Sequence, residues 1–297
     1  MFFSEKVLPD DYRRNRFFDK IRENYPFLSS GILSKSILGK NIHYFKIGSG
    51  KRNVLSVGAH HAMEYITASV LCNVIESLCE NLTRGVSSYG INLELLQQKF
   101  TFWFVPCLNP DGVDMHLFGA PDSPLRARQI RMNGSENFSL WQSNARGVDL
   151  NHNYDFGFLE YKTLEAENGI SDGKTRYSGE YPESEPETKA LSGLLKTVMP
   201  DLLMTFHTQG ELVFVRPRES EKAARIAQRA AQLVGYSLSF PEGLADYGGL
   251  SDYAGEVLRI PSLTFEIGRG TNPIDYSFVS SLTEIVYRLH VVLPTLI

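Results

Sequence analysis

Two residues of the kinds that bind zinc lie three positions apart, His61 and Glu64. Side chains at this spacing share one face of a helix, so an imidazole and a carboxylate can converge on one point. Both groups are zinc ligands, and a catalytic zinc takes three protein ligands and keeps one position open. The pair therefore predicts two ligands of a zinc site. His60 is the competing histidine; we favour His61 as the ligand and assign His60 a structural or supporting role.

The surrounding sequence places this pair where a buried strand turns into a helix. Val54 to Val57 predict the strand, Gly58 ends it, and the apolar spacing that follows predicts a helix from Ala62 to Leu82. A histidine and a glutamate three apart also recur by chance, and the alternative is a helix start with an acid in its first turn. The rest of the chain must therefore supply a third ligand and a general base.

Two further predicted strands end in suitable groups. Residues 202–206 predict a strand that finishes at His207, and residues 262–267 predict one with Glu266 near its end. Because open α/β sheets bind their ligands at the carboxyl ends of strands, His207 is the candidate third ligand. A carboxylate in the apolar run around Glu266 is costly to bury unless it is paired or at work. A salt bridge to Arg269 is the alternative role of Glu266.

Strands and helices alternate along the chain without a repeat or a break in composition. This pattern predicts one α/β domain over residues 1–297, with a mixed, mainly parallel β-sheet flanked by helices on both faces. A predicted helix from Asp10 to Tyr25 makes residues 1–30 a helical extension packed on that domain. Asn-Pro and Asp-Gly pairs predict a turn at 108–113, and residues 114–145 predict a long irregular segment of the kind that is usually functional.

Composition restricts the class of protein. The chain has 297 residues, with 42% hydrophobic and 22% charged side chains, which is typical of a soluble globular protein. Its 30 basic and 34 acidic residues give a net charge of −4, so no nucleic-acid or membrane surface is expected. The charged N-terminus lacks the apolar core of a signal peptide, which favours the cytoplasm. The 3 cysteines have no metal-ligand spacing and predict buried free thiols.

Five short motifs together resemble the zinc carboxypeptidase A family. They are His-Ala-Met-Glu, Asn-Pro-Asp-Gly-Val, Arg-Gly-Val-Asp-Leu-Asn-His-Asn, Phe-His-Thr-Gln-Gly-Glu and Leu-Thr-Phe-Glu-Ile. Their order and spacing cover residues 45–295. Within the family the chain looks most like the bacterial γ-D-glutamyl-L-diamino acid endopeptidases, which cut the γ-D-Glu to diaminopimelate bond of peptidoglycan peptides. The resemblance implies a zinc carboxypeptidase-like fold, one zinc ion and a small muropeptide-like substrate; the oligomeric state stays open.

The resemblance also implies a role for each candidate group. The implied zinc ligands are His61, Glu64 and His207. Glu266 is the implied general base, which takes a proton from the attacking water and passes it to the leaving amine. The oxyanion that forms needs a nearby cation, for which Arg146 is our candidate, ahead of Arg131 and Arg128.

One further acid matches the family at a supporting position. Asp149 resembles the acid that orients the first zinc histidine through its other ring nitrogen. The alternative is an aspartate that caps the local backbone, and the sequence does not separate the two roles.

Three positions depart from the family. The family's exopeptidases have Asn-Arg-Asn where this chain has Asn-His-Asn, and the resemblance makes Asn151 and His152 candidate substrate-binding residues. The arginine of the exopeptidases grips the terminal carboxylate of the substrate. His152 is mostly neutral at pH 7, which argues against ordinary carboxypeptidase activity. Met63 stands where arginine is frequent. Tyr247 is our candidate for the tyrosine that covers the substrate, although counting along the motif leads to Leu244.

The extra amine and carboxylate of diaminopimelate need charged partners. Glu211, Arg216 and Arg269 are candidates near strand ends, with surface salt bridges as their alternative role. Two other hydrolase functions fit the same fold: a general metallocarboxypeptidase or an N-acyl amino acid deacylase. The remaining alternative is a non-catalytic peptide-binding relative.

Overall fold

An eight-stranded mixed sheet is the framework of the protein in the computed structural model, which describes residues 1–216 and 221–297. The strands found there are β1 (Ser29–Lys35), β2 (Asn41–Ile47), β3 (Arg52–Gly58), β4 (Ser87–Ser88), β5 (Ile91–Asn92), β6 (Phe100–Val105), β7 (Leu202–His207), β8 (Leu212–Phe214), β9 (Ser237–Ser239) and β10 (Ser262–Glu266). The order across the sheet is β1-β2-β6-β3-β7-β10-β8-β9, and β4 and β5 form a separate ribbon.

The four middle strands, β6, β3, β7 and β10, run parallel to one another. Antiparallel strands flank them on both sides, since β2 pairs antiparallel with β6 and β8 pairs antiparallel with β10. The carboxyl ends of the four parallel strands therefore meet at one edge of the sheet. This is the mixed, mainly parallel sheet that the alternation of elements predicts.

Helices cover both faces of the sheet. The helices of the described residues are α1 (Asp11–Asn24), α2 (Ile66–Thr83), α3 (Leu93–Lys99), α4 (Pro110–Phe118), α5 (Arg126–Asn133), α6 (Phe158–Glu167), α7 (Pro186–Val198), α8 (Glu221–Val234), α9 (Leu250–Asp252) and α10 (Val279–Val292). Neighbouring strand residues point to opposite faces: Val54 packs in a cluster with α2, α8 and α10, whereas Leu55 packs with α7 and the α9 region. The prediction of helices on both faces is confirmed.

The first helix packs on the body of the fold. Its N-cap is Asp10, whose side chain accepts a hydrogen bond from the backbone N–H of Arg13. Phe17, Phe18 and Ile21 of α1 are buried in the same cluster as the sheet residues. All three cysteines are buried and unpaired. Across residues 1–216 and 221–297, no helix is long and apolar enough to cross a membrane.

The turn predicted at residues 108–113 is wrong, because a helix begins there. Asn109 is its N-cap, with the side chain accepting from the backbone N–H of Gly112, and Pro110 occupies the first turn of α4. Asn-Pro marks turns, but asparagine before proline is also a favoured helix start. The segment predicted to be irregular, 114–145, contains the end of α4 and all of α5.

Candidate active site

The candidate metal ligands lie at the carboxyl edge of the parallel strands. Gly58, the last residue of β3, pairs with Phe206 of β7, and His207 pairs with Glu266 of β10. The chain continues from Gly58 into His61, which has an extended backbone with φ −90° and ψ 132°. A 3-10 turn, Ala62–Glu64, then brings Glu64 back beside His61. The sheet register and this turn together collect the predicted groups.

Two imidazoles and one carboxylate converge at this edge. His61 Nδ1 lies 3.0 Å from Glu64 Oε1, and His207 Nδ1 lies 3.0 Å from Glu64 Oε2. The two Nδ1 atoms are 3.3 Å apart, and one ligand atom from each residue lies within 4.8 Å of the others. Two histidines and one glutamate are a known catalytic zinc set. The donor atoms present therefore fit a zinc ion.

His60 faces away from this group. Its ring is fully buried, its Nε2 lies 3.1 Å from the hydroxyl oxygen of Tyr154, and it stacks on His207 with ring centroids 5.4 Å apart. Burial lowers the pKa of His60 well below its ordinary value, so the ring is neutral. The geometry assigns His60 to packing behind His207 rather than to the ligand group.

Asp149 supports His61 from the far side of its ring. Asp149 Oδ1 lies 3.2 Å from His61 Nε2 and also accepts the backbone N–H of Asn151 at 3.1 Å. Asp149 Oδ2 accepts the backbone N–H of Arg176 at 3.0 Å. Burial acts to raise the pKa of Asp149, but the His61 imidazole outweighs it and holds that pKa well below the usual range. Asp149 thus makes the contacts of both roles considered for it, one to the His61 ring and two to the backbone.

A further contact to the ligand group comes from Asn272. Its Nδ2 lies 3.3 Å from Glu64 Oε1 and donates to the backbone carbonyl of Thr208 at 2.6 Å. No motif or periodic pattern points to this residue, because it lies in a loop 208 positions beyond Glu64. Such contacts fix the orientation of a ligating carboxylate.

Glu266 stands beside the ligand group without a partner of its own. In the described part of the chain its carboxylate has no hydrogen bond or ion pair, and it lines the cavity described below. Burial, and then the neighbouring Glu64 carboxylate, raise the pKa of Glu266 well above its ordinary value. The salt bridge to Arg269 considered from the sequence is absent, since Arg269 pairs with Glu211 at 2.5 Å. A carboxylate with a raised pKa in a cleft is suited to general acid–base chemistry.

A cavity of about 660 Å³ opens over these groups. This volume is within the range of small-molecule sites. Its lining includes the buried residues Asp252 and Ser262, and the exposed side chains of Lys174 and Arg176, whose stretch of the lining we call the rim. Asp149, His61 and Glu266 lie on its walls.

The Asn-His-Asn segment also reaches the cavity. Asn151 and His152 both line it, and Asn151 Oδ1 accepts the backbone N–H of Leu250 at 3.2 Å. The His152 ring stacks on Tyr161 with centroids 4.1 Å apart, and its Nδ1 lies 3.0 Å from the carbonyl oxygen of Tyr247. Burial lowers the pKa of His152, so this ring offers no permanent charge to a carboxylate.

Two predicted site residues lie outside the cavity wall. Arg146 Nε donates to Glu185 Oε2 at 2.9 Å, and its Nη2 donates to the carbonyl of Ser184 at 3.3 Å. The Tyr247 ring packs against Gly157 and the guanidinium of Arg216. Leu244, three residues before Tyr247, lines the cavity instead. The geometry therefore does not bring Arg146 or Tyr247 to the reacting groups.

The three residues considered for a zwitterionic substrate group do not lie together in the structure. Arg216 lines the cavity, where it forms ion pairs with Asp246 and Asp252. Glu211 and Arg269 pair with each other, and the Arg269 side chain is 80% exposed. Only Arg216 of the three can contact a ligand in the cavity.

Comparison with known proteins decides the family. The profile of the zinc carboxypeptidases matches residues 15–286. The chain belongs to the zinc carboxypeptidase family. The family implies zinc, and the His61, Glu64 and His207 group is the candidate site for that metal.

One curated relative is named for the hydrolysis of γ-D-glutamyl bonds. Gamma-D-glutamyl-L-diamino acid endopeptidase 1 of Lysinibacillus sphaericus is 29% identical over 265 residues, which are 87% of this chain and 65% of the relative. The chain thus spans just under two thirds of that relative's length.

Two solved structures share the fold. Bovine thrombin-activatable fibrinolysis inhibitor, in complex with tick carboxypeptidase inhibitor, has a TM-score of 0.73 at 18% identity and covers 99% of both chains. Murein-tripeptide amidase MpaA from Escherichia coli O157 has a TM-score of 0.53 at 19% identity, covering 88% of this chain and 92% of its own. These likenesses establish the carboxypeptidase fold alone.

Proposed function

We propose that this zinc carboxypeptidase hydrolyses the γ-D-glutamyl to diaminopimelate bond of small peptidoglycan peptides. The observation that supports hydrolysis is the convergence of His61, Glu64 and His207 beside the unpartnered carboxylate of Glu266. Of these residues, His61, His207 and Glu266 line one cavity. The observation that favours this substrate class over ordinary C-terminal residues is the neutral His152, which stands where the family's exopeptidases have arginine.

The proposed roles follow from position and chemistry. His61, Glu64 and His207 would hold one zinc ion, with Asp149 positioning the His61 ring. When bound, zinc acts as a Lewis acid that polarises the scissile carbonyl and lowers the pKa of water. Glu266 takes the proton of the attacking water and delivers it to the leaving amine. The raised pKa of Glu266 suits it to both halves of that transfer.

The cavity offers groups for the diaminopimelate side of the bond. That residue carries a second amine and a second carboxylate at its far end. Arg216, held between Asp246 and Asp252, presents a cation next to two anions at the cavity wall. A side chain that is itself zwitterionic can satisfy both signs of charge there, whereas an apolar or singly charged side chain leaves one sign unmatched.

The role proposed from the sequence for Arg146 is not carried forward. Its guanidinium is engaged by Glu185, and it does not line the cavity. Asn151 remains a candidate for substrate binding, because its side chain lies on the cavity wall beside His152. Tyr247 has no role in the proposal, since its ring packs on Gly157.

A pair of tripeptides tests the substrate. The zinc-loaded protein is assayed on L-Ala-γ-D-Glu-meso-diaminopimelate and on the same residues joined by α-linkages. We expect cleavage of the γ-linked peptide with a kcat/KM at least about 10-fold higher. Equal or reversed rates would overturn the γ-D-glutamyl assignment, and cleavage of hippuryl-type substrates alone would favour a general carboxypeptidase or a deacylase.

A further inference from the structure

Backbone hydrogen bonds hold one short loop segment, residues 174–176, beside the candidate metal site. Arg176 has φ 67°, a left-handed conformation that arginine rarely adopts. Its backbone N–H donates to Asp149 Oδ2 at 3.0 Å, and its carbonyl accepts the hydroxyl of Tyr161 at 3.0 Å. The same Asp149 supports His61, and the same Tyr161 stacks on His152. Arg176 therefore has a fixed position relative to the candidate ligand group.

Lys174 and Thr175, the two residues before Arg176, are also held by hydrogen bonds. The carbonyl of Lys174 accepts the backbone N–H groups of Gln142 and Ser143 at 2.8 and 3.1 Å. The hydroxyl of Thr175 bonds the side-chain oxygen of Gln142. Gln142, Lys174 and Thr175 all line the cavity. These bonds hold the segment 174–176 along the cavity rim, where the side chains of Lys174 and Arg176 are exposed.

The charge on Arg176 is uncompensated, unlike that of the other arginines nearby. Arg216 is paired with two aspartates and Arg146 with Glu185. Among residues 1–216 and 221–297, no acidic side chain forms an ion pair or hydrogen bond with the Arg176 guanidinium, which is exposed at the cavity. An arginine held rigidly at a cavity without an acid is suited to bind an anion of a ligand.

The position of Arg176 on the rim indicates which part of a substrate it meets. The proposed function places the leaving diaminopimelate beside Arg216 and the buried Asp252, whereas Lys174 and Arg176 are exposed residues of the same cavity lining. The acyl part of the substrate then lies toward the open rim. In a γ-linked glutamyl residue, the free group on the acyl side is the α-carboxylate, three carbons from the scissile carbonyl.

We propose that Arg176 binds this free α-carboxylate of the γ-linked glutamyl residue, and so selects substrates whose acyl part carries a free carboxylate at this position over those that lack it. This inference rests on the proposed function, because it assumes a γ-glutamyl substrate. This carboxylate lies on the acyl side of the scissile bond, so the contact differs from the one that the family's exopeptidases make at the position of His152, whose Nδ1 is bonded here to the Tyr247 carbonyl. Lys174, on the same strip, adds a second positive charge to the rim.

The test compares two peptides that differ in one group. They are L-Ala-γ-D-Glu-meso-diaminopimelate and its analogue with the glutamyl α-carboxylate converted to a carboxamide. We expect Arg176→Ala to lower kcat/KM for the carboxylate peptide by roughly 10- to 100-fold, mainly through KM, and to leave the carboxamide peptide within about 3-fold. Arg176→Lys should recover part of the loss. The matched control is Arg229→Ala, an exposed arginine of α8 that should change neither peptide.

Binding separates failure of this inference from failure of the proposed function. Glu266→Gln, alone and combined with Arg176→Ala, is titrated calorimetrically with both peptides in the presence of zinc. A loss of affinity confined to the carboxylate peptide supports the role of Arg176. Equal losses for both peptides, or none, would overturn that role while leaving the γ-glutamyl substrate standing. If the parent cleaves neither peptide and Glu266→Gln binds neither, the proposed function and this inference both fail.

Discussion

The two regions that form the cavity hold their functional groups by different means. His207 and Glu266 are the last residues of adjacent parallel strands, so the register of the sheet brings them side by side. Asp149, His152 and Arg176 lie outside the sheet, in a 3-10 turn and a loop. Hydrogen bonds between side chains and backbone set their positions, such as that from Arg176 to Asp149. The register of the sheet fixes His207 and Glu266, which we call the strand-end region. A few hydrogen bonds fix Asp149, His152 and Arg176, which we call the loop region.

This difference separates chemistry from selectivity. A metal site needs ligand atoms held to within a fraction of an ångström, which a sheet edge provides because many backbone bonds fix it. Recognition of a substrate group tolerates more variation and is usually carried by loops on such a framework. We therefore expect changes at strand ends to abolish hydrolysis, and changes in the loop region to alter which peptide is cleaved or how tightly the metal is held.

The largest effect is expected at Glu266. Glu266→Gln removes the proton acceptor but keeps the shape of the side chain, so hydrolysis should fall by at least about 10³-fold while zinc content is unchanged. Steady-state kinetics and metal analysis on the same preparation measure both. Glu242→Gln is the control, because it removes another acid of the cavity wall and should keep most of the activity. Retention of more than a tenth of the activity in Glu266→Gln would contradict its role as the base.

The second largest effect is expected on zinc affinity, and it distinguishes His61 from the neighbouring His60 as the ligand. His61→Gln should lower zinc affinity by more than about 100-fold, because it removes one of three ligands. His60→Gln should keep the metal, since His60 bonds Tyr154 and lies outside the ligand group. Competition with a chromogenic chelator measures both affinities. The assignment of the ligand is wrong if His60→Gln loses zinc and His61→Gln retains it.

A smaller effect is expected where the loop region supports the strand-end region. Asp149→Asn keeps the size of the side chain but weakens the contact to His61, and should cost about 10- to 100-fold in zinc affinity or activity. Asp155→Asn, an exposed acid in the same stretch, is the matched control. An unchanged zinc affinity in Asp149→Asn, with kinetics like the parent, would show that the sheet alone positions His61.

The same difference explains which site residues could be predicted from the sequence. His207 and Glu266 each end an apolar run, and parallel strands bring such ends to one edge, so the sequence predicts their meeting. Arg176 carries no periodic signal, because a left-handed turn and a hydrogen bond to Asp149 determine its place. Arg146 is near Asp149 along the chain, but Glu185, 39 residues farther on, takes its guanidinium. Local motifs could not predict that competition.

The smallest effect tests how the loop region is anchored to the body of the fold. Glu187, in the first turn of α7, is fully buried and lies 3.5 Å from Asn144 Nδ2, just before the Asp149 segment. Burial, and then the carboxylates of Glu185 and Asp111, raise the pKa of Glu187 to about 8. Because the folded protein holds this proton more tightly than the unfolded chain, Glu187 contributes stability at low pH. That stability is lost as the pH rises toward 8.

The pH dependence of unfolding measures this contribution. Above the pKa of the unfolded chain, the free energy of unfolding should fall by at most about 1.4 kcal/mol per pH unit, and level off above pH 8. Glu187→Gln keeps a neutral side chain at every pH, so it should match the parent near pH 5 and exceed it near pH 8. Glu180→Gln, an exposed acid of the same region, should follow the parent throughout. Parallel curves for parent and Glu187→Gln would mean that Glu187 is ionised in the folded protein. The loop region would then be anchored by a charged contact rather than by a buried neutral acid.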